Sequence, residues 1–222
     1  RRPAPASVCL SGRSAAEHVD EDAPILHIRP RTLLALLCCA IVGCCIAMSL
    51  PLAHIKSHAT DIGISPMQAA TILSMLLAGS FVARAFASGL LIAHVGSLKT
   101  LFIFSTIQAV TLGMLPFVEG IGVIYLVAAV FGFGYGGIGP TYPMIVREFL
   151  AEQWAGRYTA VVIMFGTFGM AIGGWIGGIG FDMTGAYDVP FLIGVGFNAI
   201  NLGIVAYLIS STRRRTMVTV PA

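Results

Sequence analysis

Residues 68–92 read QAATILSMLLAGSFVARAFASGLLI, an apolar stretch that contains one charged side chain, Arg84. A helix of about 20 apolar residues spans the roughly 30 Å hydrocarbon core of a membrane. An arginine near the middle of such a helix costs roughly 2.5–3.5 kcal/mol on insertion scales, so it is seldom retained without a use. The stretch therefore predicts a membrane-spanning helix with a functional cation inside it.

Stretches of this kind occur six times along the chain. They cover residues 32–54, 68–92, 100–118, 121–146, 157–181 and 189–210, and strand-like alternation is absent. Hydrophobic residues make up 57% of the chain and charged residues 10%, with a mean hydropathy of +0.88, whereas a soluble domain has about 25% charged residues. We therefore predict an all-α integral membrane protein in which residues 32–212 form a six-helix transmembrane domain.

The basic residues predict an orientation in the membrane. Only Lys56 lies near the ends of the spans on one side, while eight Lys and Arg residues lie near them on the other. Because positive residues accumulate on the cytoplasmic side, both termini are expected there. This asymmetry also accounts for the net charge of +3, so no nucleic-acid partner is expected. The eight are Arg29, Arg31, Lys99, Arg147, Arg157, Arg213, Arg214 and Arg215.

The flanking residues have a different composition from the spans. Residues 1–31 are rich in Pro, Ser, Ala and charge and show no signal-peptide pattern, so we expect a flexible cytoplasmic segment. Residues 213–222 are expected to form a cytoplasmic tail. The chain begins with Arg1 rather than Met, which agrees with a fragment whose upstream part is missing.

The cysteines are concentrated in the first span. Cys38, Cys39, Cys44 and Cys45 all lie there, where we expect small apolar packing residues rather than a disulfide framework. Adjacent pairs on one membrane helix also lack the spacing of metal ligands. No metal or other cofactor is therefore expected.

An internal repeat relates the two halves of the chain. A shift of 89 residues places Pro51 on Pro140, Gly89 on Gly178 and Gly96 on Gly185, and it superimposes the starts of corresponding spans. Each half has three spans, so the second half is inverted relative to the first, as in many secondary transporters. We therefore predict two inverted three-helix repeats, with chance similarity as the alternative.

Proline and glycine in three spans predict helices that bend or slide. Pro51 and Pro140 occupy equivalent repeat positions in spans one and four, which makes these spans candidate gating helices. On span five, Gly169, Gly173 and Gly177 form a face of small residues that allows another helix to approach closely. Tight packing without movement is the alternative interpretation.

Arg84 is the main candidate for a substrate-binding residue. Ser80 and Ser88 lie four residues before and after it, and the polar face that they form with it would be unfavourable towards lipid. A guanidinium suits a carboxylate, which it binds through two parallel hydrogen bonds. Tyr135 and Tyr142 are secondary candidates because a phenol can donate a hydrogen bond in the same cavity. An arginine that snorkels to the interface and tyrosines that only pack are the alternatives.

Other polar residues of the spans favour structural roles. Asn198 and Asn201 are expected to form interhelical hydrogen bonds. None of the ten Asp and Glu residues lies in the middle of a span, so proton coupling through a buried carboxylate is not supported. His54, at the outer end of span one, is expected to be solvated. A membrane enzyme is disfavoured because the histidines lie at span ends or in loops and no Gly-x-Ser-x-Gly elbow is present.

These residues resemble a known family. Phe81–Arg84 with the following Gly89 and Gly96, the run Gly134–Pro143 and the junction Gly180–Tyr187 are similar to the C-terminal six-helix half of major facilitator superfamily transporters. The likeness covers residues 32–212 and is greatest to the bacterial monocarboxylate transporter-like and oxalate/formate antiporter group. It implies secondary active transport of a small organic anion by alternating access. It also implies a missing N-terminal six-helix half and a bacterial inner membrane.

Two departures from this group bear on the expected substrate, and a third bears on the cytoplasmic charge latch of the family. Monocarboxylate carriers usually have Asp one turn before the arginine, where this chain has Ser80. The second cation of oxalate carriers has no counterpart in span five, so the resemblance favours a monocarboxylate over a dianion. Ala93 replaces the acid of the Gly-x3-Asp-x2-Gly loop, although its repeat counterpart keeps Asp182. A truncated or degenerate protein without transport activity and a transporter of an unrelated small solute are the alternatives.

Overall fold

Helices of membrane-spanning length account for nearly all of the residues that the computed structural model describes, namely 25–26, 28–118, 120–150 and 152–213. Within these residues six helices are long and apolar enough to cross a membrane, which confirms the predicted all-α membrane fold. They are α1 (Pro30–Asp61), α2 (Pro66–Val95), α3 (Ser97–Phe117), α4 (Ile121–Phe149), α5 (Ala155–Thr184) and α6 (Asp188–Ser211).

The helix boundaries follow the predicted spans closely, with one departure. Helix α1 continues to Asp61, whereas the apolar run ends at residue 54. The last two turns of α1 include Lys56 and His58, which lower hydropathy without breaking a helix. Hydropathy therefore marks where a span becomes polar and does not mark where its helix ends.

Two short strands join the ends of the helical body. Strand β1 (Ile25–Leu26) pairs antiparallel with β2 (Thr212–Arg213). Since β1 precedes α1 and β2 follows α6, both ends of the six-helix body lie on the same side. Most of the predicted flexible segment and tail, including Arg214 and Arg215, lies outside the described residues.

Equivalent glycines end equivalent helices of the repeat. Gly96 ends α2 with φ +86°, and Gly185 ends α5 with φ +71°. Positive φ is a conformation that glycine adopts without a steric penalty, which is why it commonly ends helices. These two residues are one of the pairs that the 89-residue shift superimposes, so the repeat has a counterpart in backbone geometry.

The two three-helix units interlock rather than pack side by side. Helix α1 packs mainly on α5 and α6 of the second unit, and α4 packs mainly on α2 and α3 of the first. Exchanging the units converts the first set of contacts into the second, as inverted repeats require. The α2–α4 seam is close because a Cβ on Gly132 would overlap the backbone of Leu76, and a Cβ on Gly136 that of Ser80.

Candidate functional site

Arg84 lies in a π-helical turn, Ala83–Ala87, within α2. In this turn the N–H of Ser88 donates to the carbonyl oxygen of Ala83, five residues earlier. Single π turns inside α-helices occur frequently at functional sites, because the extra residue redirects the side chains around it. No feature of the sequence pattern indicated this turn.

Arg84 is also close to the middle of its helix. It stands 18 residues after Pro66 and 11 residues before Val95. At 1.5 Å per residue, the guanidinium-bearing residue is about 16 Å from the nearer helix end. Snorkelling of the side chain to the interface stays the alternative.

Two residues of α4 surround the Arg84 guanidinium. Its Cζ lies 6.0 Å from the centre of the Tyr135 ring, within the range of a cation–π contact. One turn later, a Cβ on Gly139 would lie 3.2 Å from Nη2 of Arg84, so glycine leaves the space that the guanidinium occupies. Arg84 is exposed, and α2 contains no Asp or Glu while α4 contains only Glu148, in its last turn. Arg84 is therefore an exposed cation that contacts α4 and lies on a surface that the six helices do not cover.

Ser80 and Ser88 differ from Arg84 in exposure. Both serines are buried, at 7% and 2%, whereas Arg84 is exposed. The Ser88 hydroxyl donates to the carbonyl oxygen of Arg84 at 3.2 Å, and the Ser80 backbone packs against Gly136. The continuous polar face expected from the four-residue spacing is therefore interrupted, because the two serines are buried while Arg84 is exposed. Substrate binding by Ser80 stays a prediction.

Tyr142 is part of a buried polar network. It is 2% exposed, and its hydroxyl donates to Oδ1 of Asn201 at 3.1 Å. Nδ2 of Asn201 donates to Oγ of Ser105 and to Oδ1 of Asn198, both at 3.0 Å. The asparagines thus form the interhelical hydrogen bonds expected of them, and the network joins α3, α4 and α6. A role for Tyr142 as a substrate donor stays a prediction.

The small-residue face of α5 lies against α1. Gly173 shows how close the helices are, because a Cβ there would be 2.5 Å from the carbonyl oxygen of Ile46 and would overlap Oγ of Ser49. The neighbouring Gly174 has nothing within 4 Å of its Cβ position. The predicted close approach is therefore confirmed, and it involves the three predicted glycines, Gly169, Gly173 and Gly177.

His54 is partly buried, so the expectation of a solvated side chain is wrong. Its Nε2 lies 3.0 Å from the carbonyl oxygen of Gly174, and its ring stacks on Tyr187 at 5.2 Å between centroids. A carbonyl only accepts hydrogen bonds, so Nε2 is the donor. The side chain is covered because α1 continues past it to Asp61 and the α5–α6 corner packs against this extension.

The predicted hinge prolines lie inside continuous helices. Pro51 is buried within α1, and Pro140 is partly buried within α4. Each of these helices packs against the second helix of the other unit. Gating by Pro51, Pro140 and the three glycines of α5 stays a prediction. Among the cysteines of α1, three are buried as expected, and Cys39 is exposed.

The corner that lacks the acid at Ala93 has another polar contact. The Ser97 hydroxyl donates to Oε2 of Glu148, and this hydrogen bond joins the start of α3 to the end of α4. Sequence reasoning did not single out either residue. Little in the sequence indicates this contact, because a serine after a helix-ending glycine is common in turns.

A known protein family matches nearly all of this helical body. The family model of the Major Facilitator Superfamily matches residues 31–221. The chain belongs to the major facilitator superfamily. The members of this superfamily are transporters rather than enzymes, and membership agrees with the six-helix architecture.

Two individual proteins are similar in sequence to most of this chain. Monocarboxylate transporter 13 of Rattus norvegicus is 24% identical over 160 residues, which cover 72% of this chain and 37% of the relative. Monocarboxylate transporter 13 of Bos taurus is also 24% identical over 160 residues, covering 72% of this chain and 38% of the relative. The chain thus matches well under half of the length of either superfamily relative.

Proposed function

We propose that this chain is the C-terminal half of a secondary transporter that binds a small organic monocarboxylate through Arg84. The observation that carries the proposal is the position of Arg84, an exposed cation near the middle of a membrane helix and beside Tyr135. A cation at this depth needs an anionic partner to offset the cost of its desolvation. The two relatives are named as monocarboxylate transporters, which supports the same substrate class.

The geometry around Arg84 suits a carboxylate. The Cζ atom of Arg84 lies over the Tyr135 ring, and none of the hydrogen bonds among the described residues uses the Arg84 side chain, so its N–H groups are available for two parallel hydrogen bonds to a carboxylate. The Tyr135 hydroxyl would add a third donor. A monoanion is favoured over a dianion because no second Lys or Arg lies inside α5 beyond its first turn.

Alternating access requires a second half that covers the Arg84 surface. Large apolar side chains of α2 and α5 are exposed in this chain, including Phe81, Phe168 and Trp175. Since the chain matches only 37–38% of its relatives, an N-terminal six-helix half is the proposed partner for this surface. The proline-containing helices α1 and α4 would then act as gates, sliding along the α1–α5 and α2–α4 glycine seams.

The proposed location is a membrane in which both termini are cytoplasmic. The eight-to-one distribution of basic residues supports this orientation. The pairing of β1 with β2 agrees with both ends lying on one side of the membrane, because it brings them together. The bacterial inner membrane expected from the family resemblance stays a prediction, since the two relatives come from mammals.

Uptake of labelled pyruvate into vesicles tests the substrate role of Arg84 in the complete transporter. Lysine keeps the charge and loses the planar fork, so Arg84→Lys should retain weak uptake and Arg84→Ala almost none. Arg147→Ala, at the end of α4, is the control and should transport normally at matched expression. Oxalate should compete less well than a second monocarboxylate. Full uptake by Arg84→Ala would show that Arg84 does not bind the anion.

A further inference from the structure

A groove of about 460 Å³ lies between the first turns of α1 and α5. The two helices start on the same side of the molecule and pack against each other along their length. Trp154 precedes α5 directly, so the groove opens where the helices enter the membrane. Its lining consists of Arg31, Leu34, Trp154, Arg157, Tyr158 and Val161.

The groove carries positive charge from two kinds of source. Arg31 and Arg157 line it with exposed guanidinium side chains. The first turns of α1 and α5 contain no acidic residue, and neither helix start has a side-chain cap. Unsatisfied N–H groups at a helix N-terminus add a partial positive charge to the same place. The groove is therefore suited to an anion, and the two planar forks suit a phosphate in particular.

The lining becomes apolar with distance from the arginines. Leu34 and Val161 lie about one turn further into their helices than Arg31 and Arg157. On α5 the same stripe continues through Met164 and Phe165, which are 50% and 39% exposed. A soluble phosphate has no apolar part that could pack in this groove, whereas a phospholipid has both a charged headgroup and an acyl chain.

The aromatic residues of the groove agree with a position at the membrane surface. Trp154 is 48% exposed, and Tyr158 is partly buried beside Arg157. Tryptophan and tyrosine are enriched at membrane–water interfaces, where their rings lie at the level of the headgroups. Basic pockets between membrane helices are known sites for anionic headgroups.

We infer that this groove binds an anionic phospholipid. Arg31 and Arg157 hold the headgroup phosphate, and one acyl chain lies along Leu34 and Val161. The site is independent of Arg84, so it stands whether or not the chain takes part in monocarboxylate transport.

Native mass spectrometry of the purified full chain tests this site. The probes are phosphatidylglycerol, phosphatidylcholine of the same acyl chains, and soluble glycerol phosphate. We expect the chain to retain phosphatidylglycerol in preference to phosphatidylcholine, and glycerol phosphate not to displace it. The double variant Arg31→Gln/Arg157→Gln should bind phosphatidylglycerol about tenfold more weakly, since two charge-assisted hydrogen-bonding groups are lost.

Matched variants separate the site from general charge and from folding. Arg147→Gln removes an exposed arginine at the end of α4, on the same side but outside the groove, and should leave lipid retention unchanged. The variant Arg31→Lys/Arg157→Lys keeps the charge, loses the forks, and should bind with intermediate affinity. Helical circular dichroism of each variant checks its fold.

Several outcomes would overturn the inference. Equal retention of the two lipids, or equal loss in Arg147→Gln, would leave only non-specific attraction. Displacement of lipid by glycerol phosphate would make the groove a site for soluble phosphate. A lipid-free dimer that the double variant abolishes would assign the groove to a second copy of the chain.

Discussion

The guanidinium of Arg84 and the ring of Tyr135 lie 6.0 Å apart, measured from Cζ to the ring centre. The two residues belong to α2 and α4, whose backbones approach closely because Gly132 and Gly136 have no side chains. The ring lies close enough to stabilise the guanidinium, and the N–H groups of Arg84 can still bind a ligand. The glycine seam is thus a condition for the site, because a wider seam would separate ring and cation.

Substitution of Tyr135 separates the contributions of its ring and its hydroxyl. Tyr135→Phe keeps the ring and loses one donor, so we expect the KM for pyruvate to rise about threefold to fivefold. Tyr135→Leu also loses the cation–π contact, which is worth about 0.5–2 kcal/mol, and should raise KM by about tenfold or more. Initial uptake rates at varied pyruvate concentration provide KM. Equal effects of both changes would exclude a role for the ring, and no effect of either would exclude Tyr135 from the site.

The parts of the fold that depend on local composition were predictable from the sequence. Six apolar runs of membrane-spanning length define six helices, and the spacing of Gly169, Gly173 and Gly177 defines a close-packing face. The partner of that face was not predictable, because hydropathy does not state which helix α5 meets. The same limit applies to Arg84, whose position was clear but whose contact with Tyr135 depends on the pairing of α2 with α4.

Features that arise from tertiary packing could not be predicted from the sequence. The π turn at Arg84 requires one extra residue per turn, and the pattern of residues 68–92 reads as an ordinary helix. The burial of His54 depends on the α5–α6 corner, which is distant in sequence. Ser105 becomes part of a polar network only because α3 lies against α6.

Removal of Asn201 should destabilise the helical body. In Asn201→Leu the Tyr142 hydroxyl and Ser105 Oγ lose their partner in a buried setting, so unfolding should become easier by about 1–3 kcal/mol. Tyr142→Phe should cost less. Because the two residues share one hydrogen bond, the double variant should lose less than the sum of the single losses, with a coupling of about 0.6–1.7 kcal/mol. Denaturant unfolding of the reconstituted chain gives these energies.

Thr167→Val is a suitable control for the network. Thr167 is exposed and its hydroxyl donates only to a carbonyl of its own helix, that of Ile163. Its replacement should change the unfolding energy by less than about 0.5 kcal/mol. Strict additivity of Asn201→Leu and Tyr142→Phe would show that their hydrogen bond contributes nothing measurable.

The orientation predicts where reporters will be found. A reporter fused after Ala222 should be cytoplasmic, and one inserted next to Asp61, between α1 and α2, should be external. The reason is the single basic residue, Lys56, on the side of Asp61 against eight on the other. Protease protection in sealed cells or vesicles reads out both positions. The reverse pattern would invert the proposed assignment of inner and outer gates.

Two adjacent glycines of α5 provide the sharpest test of the α1–α5 seam. In Gly173→Ala the new Cβ meets the carbonyl oxygen of Ile46 and Oγ of Ser49, so the helices must separate, at a cost of about 1–3 kcal/mol. In Gly174→Ala the same methyl group enters open space. Since alanine favours helix by about 0.8–1.0 kcal/mol over glycine, Gly174→Ala should be neutral or stabilising. Thermal unfolding of the two variants in one detergent gives the comparison.

Transport by leucine variants at the same two positions tests whether uptake needs the close α1–α5 contact. If α1 slides on α5 during alternating access, Gly173→Leu should abolish pyruvate uptake while membrane insertion stays normal, because the larger side chain blocks the closest point of contact. Gly174→Leu, one residue away on the open face, should insert and transport normally. Normal uptake by Gly173→Leu would show that the seam neither moves nor needs its closeness. Loss of uptake in both variants would indicate that the open face of α5 has a partner of its own.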